Sequence, residues 1–167
     1  MAFTVFQTRV NALGRTKGKF VRATFLYQQA LKCQKCNPNM AMFLICSSAD
    51  AMQLMGSQRS HQNFNRFFLQ YTPVHLRQPP IERYLNLNPP LTRTPASFQE
   101  ALDYIYSKLR CLYVHEGIER LSIPPYGVNL IGDDLFDKFN NNYYIINRLA
   151  ILGWISSITK ECLLAII

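Results

Sequence analysis

An all-α bundle is the architecture this 167-residue sequence predicts, and three observations carry it. Apolar residues recur at helical spacing over long runs. Ser97 and Glu100 have the spacing of a capping box ahead of the clearest of those runs. No segment alternates apolar and polar residues for long enough to argue a sheet. The length suits one domain over residues 1–167, large enough to bury a real core. The expected form is four or five main helices with one long proline-rich loop.

Phe20, Tyr27 and Leu31, with Ala23, Thr24 and Ala30 beside them, form the stripe of a first helix that ends at Asn37-Pro38. Asn39 is placed to cap a second helix, Met40 to Met55, stopped by Gly56-Ser57. That helix is apolar almost all round (Met42, Phe43, Leu44, Ile45, Cys46), which predicts a position in the middle of the bundle. Phe64, Phe67, Phe68 and Tyr71 give a short third helix over 63–71. Residues 72–96 carry six prolines and read as an irregular crossing loop, with a turn of helix around Glu82 to Leu85. A fourth helix follows, with Pro95 in its first turn, Phe98, Leu102, Ile105, Leu109 and Leu112 as its buried stripe, and Gly117 as its stop. Pro124-Pro125 keeps the chain open until Gly132. A last helix is predicted from Asp133-Asp134, whose charges suit an N-terminus, through Tyr143, Ile146, Leu149 and Trp154.

The formal net charge of +8 is unevenly spread. Residues 1–37 hold seven bases and no acid, whereas the remainder holds eleven bases and ten acids. A concentrated basic segment attracts polyanions, nucleic acid first among them, although a solvated helix face can have the same composition. Within it, Gly14 to Lys19 is a basic turn, and Arg15, Lys17, Lys19 and Arg22 are the candidate phosphate contacts. The turn lacks the glycine and Lys-Ser/Thr spacing of a P-loop, so nucleotide hydrolysis is not expected. Five cysteines, an odd number, together with a first segment too short and polar for a secretory signal, lead us to expect reduced thiols and a cytoplasmic protein. The most membrane-like stretch, Leu149 to Thr159, is about half the length of a span, and no membrane association is expected. Cys33-Gln34-Lys35-Cys36 is half of a zinc site with no second cysteine pair, and even with His61 and His75 considered, neither metal nor cofactor is expected.

Chemistry concentrates in Leu109-Arg110-Cys111-Leu112-Tyr113-Val114-His115-Glu116-Gly117. Arg110 offers a permanently charged fork to a phosphate, and His115 can exchange a proton near neutral pH. On an ideal α-helix five residues advance about 140°, so the two flank one edge rather than stack. Asp103, Tyr106, Arg110 and Tyr113 fall near one line at spacings of three, four and three. This strip lets Asp103 orient Arg110 while Tyr106 and Tyr113 offer stacking surfaces for bases. Taken alone, it is also what a part-exposed helix face with a local ion pair looks like.

The string Leu109 to Gly117 resembles the Arg-x4–6-His motif of HEPN domains. Met42 to Met55 and Asn63 to Pro73 resemble the core helix of such bundles and the segment after it, so the resemblance spans about 40 to 117. It implies a helical bundle acting as a homodimer, and a metal-independent endoribonuclease of a defence or toxin–antitoxin type. The motif helices of two protomers would then share one cleft. It further implies that Arg110 holds the RNA phosphate and that His115 moves a proton while a 2′-OH attacks, leaving a 2′,3′-cyclic end. Asp103, Tyr106, Tyr113 and Glu116 would be supporting residues. An antitoxin or a defence-complex protein is the implied protein partner. Active members often follow the Arg with a polar residue, and here that position is Cys111. The alternative implied by the resemblance is therefore a catalytically inert RNA-binding or scaffold subunit.

Overall fold

A two-residue turn, Asn140-Asn141, closes a β-hairpin in a chain expected to be all helix. Both residues take positive φ, 49° and 62°, the conformation that a tight hairpin needs and that Asn tolerates. The computed structural model describes residues 2–52, 60–85, 92–117, 129–131 and 134–167. Among them the chain is mostly helical but includes a five-stranded antiparallel sheet, which corrects the all-α expectation.

The helical part begins with α1 (Ala2–Ala12), a 3-10 turn over Gly14–Thr16, and α2 (Lys17–Cys33). Phe20, Ala23 and Ala30 of α2 are buried as the stripe predicts, whereas Leu31 is exposed. The cap of α3 (Pro38–Ala51) is Asn37 rather than Asn39: its side chain accepts from Met40 N, and Pro38 occupies the first turn. Helix α3 is central as expected, with Ala41, Met42, Ile45, Cys46, Ser48 and Ala49 all buried. Ser48 donates to the Ala23 carbonyl at 2.8 Å and so ties α3 to α2. The expected stop at Gly56-Ser57 lies outside the described residues, as do Pro124-Pro125, Gly132 and Asp133. Helix α4 (Ser60–Tyr71) buries Phe64, Phe67 and Phe68, whose rings meet edge to face.

Residues 72–96 are not one irregular loop. They contain a 3-10 turn at Val74–Leu76 and the strands β1 (Ile81–Leu85) and β2 (Thr92–Pro95). Pro95 ends β2 instead of opening a helix. Strand β3 (Asn129–Ile131) precedes the hairpin of β4 (Asp134–Phe139) and β5 (Asn142–Asn147), and the sheet order is β2-β1-β5-β4-β3. The last helix therefore begins later than the acidic pair suggests, and Asp134 pairs across the sheet with Asn147. Residues 134–147 carry Phe, Tyr and Ile in abundance, and these pack well on a pleated surface. Ile81, Leu135, Tyr144 and Ile146 turn into the core. The opposite face carries Tyr84, Phe136 and Tyr143, with Phe136 stacked on Tyr143 at 5.4 Å.

The sheet docks on α5 (Phe98–Tyr104). Tyr104 Oη donates to Asp137 Oδ2 at 3.2 Å, and Arg83 pairs with Glu100 at 3.2 Å. The capping box of α5 is complete, with Ser97 Oγ accepting from Glu100 N and Glu100 accepting from Ser97 N. After Tyr104 the helix widens into a π-helical segment, Ile105–Cys111, and then tightens into α6 (Leu112–Glu116). Gly117 follows at φ 64°, a left-handed stop that glycine takes without strain. Helix α7 (Arg148–Ile166) packs against α2, α3 and α4. At 19 residues it exceeds the predicted apolar stretch, and its most apolar window has a mean hydropathy of 1.6. By length and composition it could cross a membrane; 44% of that window is buried within the chain, as in a core helix.

Asn147 joins sheet and helix. Its Oδ1 accepts from Ala150 N at 2.9 Å as the α7 cap, and its Nδ2 donates to Asp134 at 3.1 Å. Asn147→Ala removes both bonds and is expected to cost roughly 1–2 kcal/mol. Thermal unfolding followed by circular dichroism should fall by about 4–6 °C. Asn147→Ser keeps a capping oxygen and should recover about half of that loss.

Candidate functional site

The predicted strip runs from Asp103 on α5 through Tyr106 and Arg110 in the π-helical segment to Tyr113 on α6; i→i+5 hydrogen bonding widens the turn in that segment, a feature frequent at functional sites. Tyr106 does not face solvent to receive a base. It is buried, with the Phe64 ring at 5.1 Å and the His61 ring stacked on it at 4.8 Å and 13°. The Arg110 guanidinium carbon lies 4.8 Å from the centre of the same ring, a cation–π contact.

Arg110 is oriented by Asp50 of α3, not by Asp103. Arg110 Nη2 donates to Asp50 Oδ2 at 3.0 Å, with the two side chains 18% and 15% exposed. Nη1 reaches the Cys111 sulfur at 3.7 Å. Asp50 Oδ1 and Arg110 Nε are buried without a hydrogen-bond partner among the described residues. Burial raises the Asp50 carboxyl from 3.8 to about 6, with Arg110 opposing the rise. For Arg110, burial pulls the pKa down, but the Cys111 sulfur, Asp50 and Tyr106 outweigh it, and the guanidinium keeps its charge. The pair is thus about half ionic near pH 6 and becomes fully ionic only well above it. Below that, the Arg110 charge is increasingly unopposed. Cys46, one turn before Asp50, is wholly buried and its thiol is pushed well up by that burial, so it is no nucleophile.

Asp103 takes different partners. Its Oδ1 accepts from His61 Nε2 at 2.8 Å, Asn65 Nδ2 at 2.6 Å and Gln99 Nε2 at 3.1 Å. The strip is therefore two carboxylate-held groups, Asp50–Arg110 and Asp103–His61, both lying against Tyr106. Tyr113 packs on Phe43 of α3 at 6.2 Å. His115 is exposed in the last turn of α6 and has no polar partner among the described residues. The Glu116 side chain lies outside the described part of the structure.

The N-terminal bases are separate from this cluster in sequence, on the 3-10 turn and the start of α2. Arg15, Lys17 and Arg22 are exposed, with Lys17 Nζ donating to Asn11 at 2.7 Å, and Lys19 is half-buried. Among the described residues no group of three His, Cys, Asp or Glu side chains has the placement to hold a metal ion, and all five cysteines are free.

Sequence reasoning missed Asp50 and His61. An acid on an otherwise apolar central helix was the available signal for Asp50, because a lone buried carboxylate needs a cation. His61 gave none beyond the i+4 spacing to Asn65, since Asp103 and Tyr106 lie about forty residues away.

The raised Asp50 carboxyl makes stability pH-dependent. The folded chain holds this proton up to about pH 6, while the unfolded chain releases it near 3.8. Stability from this group is full below 3.8 and declines as pH rises to about 6, by on the order of 2–3 kcal/mol. Urea unfolding of the wild type and Asp50→Asn between pH 4 and pH 7.5 should show that decline only in the wild type. Parallel curves would show that Asp50 titrates normally. Comparison with known protein families, with characterised proteins and with solved structures finds no match to this chain.

Proposed function

We propose that this chain is a HEPN-like, metal-independent endoribonuclease that works as a homodimer in a defence or toxin–antitoxin setting. The observation that carries the reading is a guanidinium fixed in place by a carboxylate and an aromatic ring, five residues before an exposed histidine on the same continuous helical run. A phosphate contacting Arg110 meets a fork already oriented, which lowers the ordering cost of binding. The charge that builds on phosphorus oxygens in the transition state then has a fixed cation to meet it. His115 is free to move a proton. Two protomers would supply two such sets around one strand, and Arg15, Lys17, Lys19 and Arg22 would draw RNA to the surface.

A second reading has its own support. Above pH 6 the Asp50 carboxylate offsets the Arg110 charge, and Cys111 occupies a second edge of the fork. An Arg so engaged suits a catalytically inert RNA-binding or scaffold subunit of a defence complex.

Purified protein incubated with RNA in EDTA separates the two. Cleavage leaving 2′,3′-cyclic phosphate ends is expected, with His115→Ala and Arg110→Lys each slowing it by about 100-fold or more. RNA bound but left intact would establish the second reading. Combined Arg15→Ala, Lys17→Ala and Arg22→Ala should weaken binding and reduce the slope of log K against log salt by about 2.

A further inference from the structure

The His61–Asp103 pair is left over by the motif, yet it has the construction of a proton-transfer group. His61 Nε2 lies 2.8 Å from Asp103 Oδ1 and 3.4 Å from Asn65 Nδ2, and in the tautomer that donates Nε2–H to the carboxylate the Nδ1 lone pair is the one left to act as a base. Stacking on Tyr106 fixes the plane of the ring. Asn65 and Gln99 fix the carboxylate in turn, so each member of the chain is held by another. Nδ1 has no hydrogen-bond partner among the described residues, and the His61 side chain is 38% exposed. An oriented base of this kind suits a substrate that brings its own hydroxyl.

Beside the pair runs a groove of about 480 Å³ between α4 and α5, lined by Gln62, Asn65, Arg66, Leu69, Gln70 and Gln99. Four amides, one guanidinium and one apolar side chain form a wall with donors and acceptors for a base edge and a cation for a phosphate. Asn65 is only 8% exposed, and its Oδ1 has no partner among the described residues. Asn65 and Gln99 belong both to the groove and to the Asp103 hydrogen bonds, so groove and dyad are one site. Arg110 and His61 each lie 4.8 Å from the Tyr106 ring centre, which puts them no more than about 10 Å apart. That span is compatible with a phosphate and the ribose beside it.

We propose that this groove and the His61–Asp103 pair form a nucleotide subsite for single-stranded RNA, in which His61 Nδ1 takes the proton of the attacking 2′-OH. The proton-transfer part rests on the ribonuclease reading; the binding part does not. As the 2′ oxygen bonds to phosphorus, its proton passes to His61 Nδ1. The bond from phosphorus to the 5′ oxygen breaks, and that oxygen takes a proton from the His115 imidazolium. The products are a 2′,3′-cyclic phosphate and a 5′-hydroxyl. Water later returns the two histidines to their starting protonation.

The sequence has three histidines, 61, 75 and 115, so isotope-labelled imidazoles can be assigned by single His→Gln variants. Full-length protein titrated with a 2′-O-methyl oligonucleotide, which cannot be cleaved, should show the His61 signals moving. Gln62→Ala with Gln70→Ala should weaken that binding at least fivefold. In cleavage of unmodified RNA in EDTA, His61→Gln should lower the rate about 100-fold while oligonucleotide affinity stays within about threefold. Asp103→Asn should lower the rate less and displace the pH–rate profile, a readout that a purely structural role would leave in place. Binding that leaves His61 unmoved, or no binding at all, would overturn the subsite. Wild-type cleavage rates in a folded His61→Gln protein would overturn its role as base. If His61 responds to the oligonucleotide but the wild type never cleaves, the ribonuclease reading fails and the binding subsite stands.

Discussion

A carboxylate and a guanidinium meeting at 3.0 Å, each more than four-fifths covered, set the terms for the helical half of this molecule. Taking both ions out of water is expensive, and at Asp50 their mutual attraction offsets only part of that cost, which leaves the carboxyl raised. The pair joins the π-helical segment to the end of α3. Helix α3 in turn grips α2 through Ser48 and the Ala23 carbonyl. Replacing Arg110 leaves the Asp50 carboxylate buried and alone, a change that typically costs about 3–5 kcal/mol, whereas Asp50 itself is already favoured by burial as the neutral acid. The same contact that fixes three helices also decides where Arg110 points.

The sheet braces the same helix from the other end. Tyr104 bonds to Asp137 on β4, and Glu100 pairs with Arg83 on β1, so α5 is held by strands while the widened turn after it is held by α3 and α4. This division of labour leaves the α4 flank of α5 for polar chemistry. Asp103, Gln99, Asn65 and His61 meet there, beside the buried Phe64–Tyr106 contact. A polar network next to a packed aromatic surface keeps its geometry because neither rotamers nor helix spacing can drift without losing contacts.

Arg110 thereby has two duties in tension. As a structural cation it is satisfied by Asp50; as a phosphate ligand it would have to share its fork. Asp50 moderates the conflict, because burial brings its carboxyl to about 6, within reach of modest acidification. An RNA phosphate arriving at the exposed edge would compete with a carboxylate that is already costly to keep ionised. The catalytic and the binding readings differ in how that competition ends, and the proposed His61 subsite would give either one a place to hold a nucleotide.

Local chemistry was fully written in the sequence wherever one short stretch satisfied itself. The Ser97–Glu100 capping box, the Gly117 stop, the central apolar α3 and the aromatic stripe of α4 needed only neighbours a turn away. The helical run that carries Arg110 and His115 was legible too, although the linear order concealed the Asp50 that holds Arg110. Tertiary structure alone decided the rest. Strands β1, β4 and β5 look like loop or helix until long-range pairing satisfies their backbone groups, and a register such as Leu135 opposite Ile146 has no local signature beyond the Asn140-Asn141 turn. The π-helical segment packs against α3. Asp50 took the role expected of Asp103 for the same reason: an ion pair forms with whichever partner the fold delivers, and Asp50 lies sixty positions before Arg110.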